Sequence, residues 1–383
     1  MDHQTFESLR EAFRSEGAGA AFGLLIRTAR EKKNSRVLFG ARIMQARHRL
    51  GLPLIETEPA LPLADAPRAD YEAAFREAAR EAGELLLEAG DIAGAWPYFK
   101  AIGEPAPVAA AIENAGAGEQ LDRVIEIAFQ EGVNPRKGFE LILAHHGICR
   151  AISWFGASRD DASRQHCLRL LVRTLYGQIA AAMKETIAAT EDAAPLTGNP
   201  ATASLTELME GRAWLFEGNS SYTDSTHLSS VLRFAPELED AETQRMALEL
   251  AEYGLRLAPM FQFRGDPPFE DPYADTAWYL KALLGEDAGG AIAHFREKAE
   301  PSPEYPEYTA PAEVLIELLV RLGRYWEAID VSLECLPAEP AGPLNCPSVL
   351  QLCQMAGEYG KLCSLAGERG DLLGFVAGVV QGG

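Results

Sequence analysis

Apolar residues recur at spacings of three and four along most of the chain. Tyr71, Phe75, Ala78, Ala82 and Leu85 form one such stripe, and Leu121, Val124, Ile125 and Ala128 form another. These spacings collect side chains on one face of a helix, which must then be buried against a neighbour. Period-two runs of β-branched and aromatic residues are missing, while the strong helix formers Ala, Leu, Glu and Arg dominate. Asn134-Pro135 supplies a cap and a proline at a first helical position, and Gly90, Gly285, Gly323 and Gly357 close other helices. The pattern predicts an all-α protein: an irregular α-α superhelix, or helical-repeat array, with long ordered loops.

Three stretches interrupt the helical pattern. Residues 51–68 carry Pro53, Pro59, Pro62 and Pro67 and read as an extended connection. Residues 192–203 carry Pro195, Gly198, Asn199 and Pro200 and read as a second break. The third, 261–275, sets Phe261, Phe263, Phe269 and Tyr273 among prolines and charges. Disordered linkers are poor in aromatics, so this loop is expected to be ordered, either as a functional loop or as a plug over a helix layer. Four segments follow: an N-terminal helical segment with its Pro-rich connection (1–66), a helical layer over 67–191, a second layer with the aromatic loop over 204–275, and C-terminal repeats over 276–383.

The repeats are most visible near the end. Leu322-Gly323-Arg324-Tyr325-Trp326-Glu327-Ala328-Ile329 closes one helix with glycine and sets an alanine five positions into the next; Gly357-Glu358-Tyr359-Gly360-Lys361-Leu362 echoes it 34 residues on. Gly90-Asp91-Ile92-Ala93-Gly94-Ala95 with Tyr98-Phe99, and Ala291-Ile292-Ala293-His294-Phe295, have related shapes. This resembles the tetratricopeptide repeat, a helix-turn-helix unit of about 34 residues. The resemblance covers the last quarter of the chain and one unit near 71–103. It implies an interaction scaffold and carries no catalytic residue.

Lys and Arg number 35 and Asp and Glu 56, a net charge of −21. Such a surface repels phosphate backbones and anionic lipid, so no nucleic-acid or membrane partner is expected. The start, Met1-Asp2-His3-Gln4, lacks the basic and apolar blocks of a signal peptide, and the expected home is the cytoplasm with its six cysteines reduced.

Candidate chemistry gathers in the middle third. The segment from Phe139 to Phe155 is apolar almost all round, which predicts a buried helix, yet it holds His145, His146, Cys149 and Arg150. Burying such groups costs about 1 to 3 kcal/mol each unless they are satisfied. His145 reads as a core residue and His146 as the site candidate, while Gly147 suggests a close backbone approach or room for a ligand. In a second unusual segment, Trp214 to Phe234, Asp224 either caps the following helix or sits one turn from His227 on its face. Carboxylate and imidazole at that spacing bind a divalent metal or act as an oriented acid-base pair. His146, His166, Asp224 and His227 are thus candidate ligands for Zn²⁺ or Fe²⁺, with Asp224 and His227 as candidate catalytic residues. Arg150, Arg233, Trp214 and Tyr222 are candidate ligand-binding residues, the arginines for an anionic group.

Two functions compete. One is a helical protein with a polar pocket in its middle third that takes a small molecule, covered by the loop at 261–275. The other is a tetratricopeptide-type scaffold for a protein or peptide partner. Neither names a reaction, and the oligomeric state stays open.

Overall fold

The computed structural model describes residues 3–55, 65–116, 118, 120–157, 161–190, 203–217, 221–300, 308–337 and 342–383. Most of the expected breaks at 51–68 and 192–203 lie outside these residues. The described residues contain α-helices and short 3₁₀ and π turns and no strand, and the chain is an all-α helical-repeat array. It divides into two compact units, Met1–Ser163 and Arg164–Gly383. The division falls inside the layer expected over 67–191.

The first unit holds α1 (His3–Glu16), α2 (Ala18–Glu31), α3 (Ser35–Arg49), α4 (Asp65–Glu88), α5 (Ile92–Ile102), α6 (Ala106–Glu113), α7 (Leu121–Ile125) and α8 (Pro135–Ala157). From α1 to α6 each helix packs on the next. The apolar stripes face inward as their spacing predicts: Ala78 and Ala82 of α4 and Ile125 and Ala128 around α7 are buried. Ile125, the large one among them, contributes about 1.5 to 3 kcal/mol by leaving water, and each alanine less. Glu81 on α4 pairs with Arg42 of α3 at 2.7 Å and also with Arg30 of α2, joining three helices. Asn134 caps α8 as expected, its Oδ1 accepting from the Lys137 amide at 3.2 Å.

The second unit holds nearly all of α9 (Asp161–Thr190), then α10 (Leu205–Met209), α11 (Ser225–Phe234), α12 (Ala241–Arg256), α13 (Pro272–Leu283), α14 (Ala288–Ala299), α15 (Ala310–Arg321), α16 (Tyr325–Cys335), α17 (Val349–Ala356), α18 (Tyr359–Glu368) and α19 (Leu372–Gly382). From α11 onward each helix packs on its successor. The repeat reading is visible in the packing. Gly323 and Gly357 end α15 and α17 with φ of 71° and 72°, a backbone region that costs glycine little. Ala291 and Ala328 are fully buried where neighbouring helices meet, with Phe295, Leu315 and Leu319 around them. No helix among the described residues is long and apolar enough to cross a membrane.

The helix expected to be buried around the two histidines is corrected. Gly147 has φ 77° and ψ 177°, and it breaks α8 into two runs. A helical wheel drawn through that residue therefore misassigns the faces. Leu141, Ile142, Ile148, Ala151 and Phe155 are buried, whereas His145, Cys149 and Arg150 are exposed. These polar groups remain in water and pay no burial cost. A Cβ on Gly147 would meet open space, so no neighbouring backbone crowds it; its task is the turn.

Candidate functional site

The side chains singled out in the middle third are divided between the two units. His146 belongs to the first unit, where Nε2 lies 2.9 Å from Asp122 Oδ1. Arg150, in the same unit, lays its guanidinium over the Trp154 ring, 5.7 Å from the centroid. His166, half-buried on α9, and Asp224 and His227 on α11 belong to the second unit. Among the described residues no group of three or more His, Cys, Asp or Glu is placed to hold a metal ion.

Asp224 is the cap of α11. Its Oδ1 accepts from the Thr226 amide at 2.8 Å and the Thr226 hydroxyl at 2.7 Å. These bonds hold its carboxyl below the ordinary range, and nearby His227 adds only the weakest contribution. The carboxylate is thus turned toward the helix end, as the capping alternative expected, instead of orienting His227. Tyr222 donates its hydroxyl to the Leu215 carbonyl at 3.2 Å, and its amide donates to the buried Tyr253 hydroxyl at 3.0 Å. Trp214 is half-buried in a 3₁₀ turn, Ala213–Phe216. Neither lines the cavity described next.

A cavity of about 500 Å³ opens in the second unit, and Arg233 lines it. Thr226, Ser229, Ser230 and Arg233 come from α11 at spacings of three, four and seven, so they share one face. The aromatic loop gives Phe263, Gly265, Asp266 and Phe269; α13 gives Asp275, Thr276 and Tyr279; Phe295, Tyr308 and Val314 complete the apolar wall. Apolar walls with a few polar groups at this volume are usual for small-molecule sites.

The loop at 261–275 is ordered, as its aromatic content predicts, and walls the cavity. The buried Tyr273 hydroxyl accepts from the Phe263 amide at 3.1 Å. Gln262 Nε2 donates to carbonyls at the end of α12, that of Leu257 at 3.0 Å. Within the loop, the Phe269 amide donates to the Asp266 carbonyl at 2.8 Å and the Gly265 amide to the Glu270 carbonyl at 3.2 Å. A Cβ at 265 would run into the Phe269 carbonyl, so the turn requires glycine.

At the inner wall lies a group that sequence reasoning missed. Asp275, in the first turn of α13, has a side chain only 10% exposed. Its Oδ1 is bonded by His294 Nε2 at 2.6 Å and paired with Lys298 Nζ at 3.2 Å. Lys298 also donates to the Pro268 carbonyl, and the His294 ring stacks on Trp278. Oδ2 is buried with no hydrogen-bond partner among the described residues. An unmatched buried carboxylate oxygen costs about 1 to 3 kcal/mol or more. The signal in the sequence was faint: His294 and Lys298 are one turn apart on α14, and Asp275 had been counted as the end of the loop.

Arg233 is the cation on the lining of the cavity. It is exposed, its guanidinium lies 5.1 Å from the Phe234 ring centroid, and no carboxylate pairs with it among the described residues. Arg233 alone of the candidate site residues lines this space. The chain matches no known family model, no curated protein and no solved structure.

Proposed function

We propose that the chain is a small-molecule-binding protein whose second unit takes an organic acid with an apolar, ring-like body. The observation that carries this reading is the 500 Å³ aromatic-walled cavity with the guanidinium of Arg233, unpaired by any described carboxylate, on its lining. Arginine offers a planar fork of donors that matches a carboxylate, and Ser230 brings a hydroxyl on the same helix face. The competing charge is Asp266 on the same lining; it is exposed, so water and salt screen it more than the buried groups.

Calorimetric titration with arylalkanoates of increasing chain length tests the reading. The expected result is saturable binding that weakens about tenfold or more in Arg233→Gln, the loss typical of a charge-assisted hydrogen bond. Absence of binding by every member, or equal binding by wild type and Arg233→Gln, would overturn it.

One observation favours a second reading. On α19, Leu372, Leu373, Val376 and Val380 are exposed, Leu373 by 85%. An exposed apolar face of this kind suits an interaction scaffold of tetratricopeptide type, with a protein partner packed on α19.

A further inference from the structure

We infer that the ligand of this cavity carries a neutral hydrogen-bond donor, a hydroxyl or an uncharged N–H, which it gives to Asp275 Oδ2. This inference rests on the cavity being a ligand site, and it adds which chemical group the inner wall selects. A buried carboxylate has about four lone-pair directions to satisfy. In Asp275 both donors, His294 and Lys298, sit on Oδ1. Oδ2 is left buried and bare on a residue that lines the cavity. No group within the described residues repays its desolvation; a ligand donor does so once a turn of the Asp275 carboxyl group brings Oδ2 to the cavity surface.

The charge of that donor follows from the neighbours. The ammonium of Lys298 at 3.2 Å already balances the carboxylate. A cationic ligand group would have to leave water for a carboxylate whose charge is shared, and it would meet Lys298 as a like charge. A hydroxyl or amide N–H carries a far smaller desolvation cost and still gains a charge-assisted bond. Phe269, Tyr279 and Phe295 line the same cavity, so the donor is carried on the apolar body of the ligand and is a separate group from the acid that Arg233 takes. A phenolic or otherwise hydroxylated ring acid satisfies both ends.

The discrimination expected is large because it is asymmetric. A site built to bond a ligand hydroxyl rejects the analogue lacking it, since the carboxylate oxygen is left unpaired by that analogue. Matched pairs test this directly: 4-hydroxyphenylalkanoates against phenylalkanoates of the same length, with 4-(aminomethyl)phenylalkanoates as the cationic member, titrated into the full chain. The hydroxylated member of the best-fitting length is expected to bind about 10- to 100-fold more tightly than its partner. In Asp275→Asn, which replaces one carboxylate oxygen by an N–H donor, the preference is expected to fall to within about threefold. The comparison within wild type stands even where that variant fails to fold. Equal binding of hydroxylated and plain acids overturns this inference and leaves the cavity reading intact. Tightest binding by the cationic member overturns the neutral-donor assignment in the same way. Failure of all three series to bind removes both.

Discussion

Two histidine-aspartate pairs, one in each unit, look alike as bonds and differ in almost everything else. His146 and Asp122 meet at 2.9 Å, and the Asp122 side chain is 85% exposed. His294 and Asp275 meet at 2.6 Å, with the Asp275 side chain 10% exposed and Lys298 beside it. The first carboxylate keeps its water; the second has exchanged water for two protein donors and keeps one bare oxygen beside a cavity. The lesson is that the exposure of the carboxylate, more than the presence of an imidazole, separates a surface ion pair from a group with work left to do. Exposed pairs contribute about 0 to 1 kcal/mol, whereas breaking a buried pair strands its partner.

The sharpest way to break this comparison is to truncate each aspartate. Asp275→Ala leaves His294 without its acceptor and the largely buried Lys298 without its counter-charge and is expected to cost about 3 kcal/mol, while Asp122→Ala costs about 0.5 kcal/mol or less. Urea midpoints of the two variants check this, and equal shifts would erase the distinction. A smaller effect belongs to the first unit alone. Gly147 occupies a φ and ψ region open almost only to glycine, so Gly147→Ala is expected to cost about 2 kcal/mol and to disturb the His146 imidazole resonance. The cavity should bind its probes unchanged in that variant.

The smallest effect sharpens the account of Asp224. Its folded carboxyl titrates below the unfolded value of 3.8, so its contribution is fully present above that pH and is lost as pH falls through the lower, folded value. Asp224→Ala is therefore expected to cost about 0.5 kcal/mol at pH 7 and less at pH 3, read as the difference in unfolding midpoints. A difference that grows on acidification would contradict the capping role.

The sequence carried the loop and one site residue but not their setting. Aromatic content alone marked 261–275 as ordered, because a disordered linker gains nothing from phenylalanines. Arg233 was legible as one of two arginines suited to an anionic group. Asp275 was not, because an aspartate in the first turn of a helix is ordinary; burial against α14 is what makes it unusual. The histidines of α8 misled for the converse reason. Their apolar neighbours suggested burial, but the helix breaks at Gly147 with φ 77°, and His145 is exposed while His146 is half-buried against Asp122.

By itself the sequence determined the helices, their caps and the small-residue contacts between consecutive ones. These depend on spacings of three and four and on residues adjacent along the chain, where propensity and short-range packing act. Only the tertiary structure decided which polar side chains left water and which oxygen among them went unmatched. Residues 226, 233, 275 and 308 meet around one cavity because distant helices pack together, and burial is a property of that packing which no local pattern encodes.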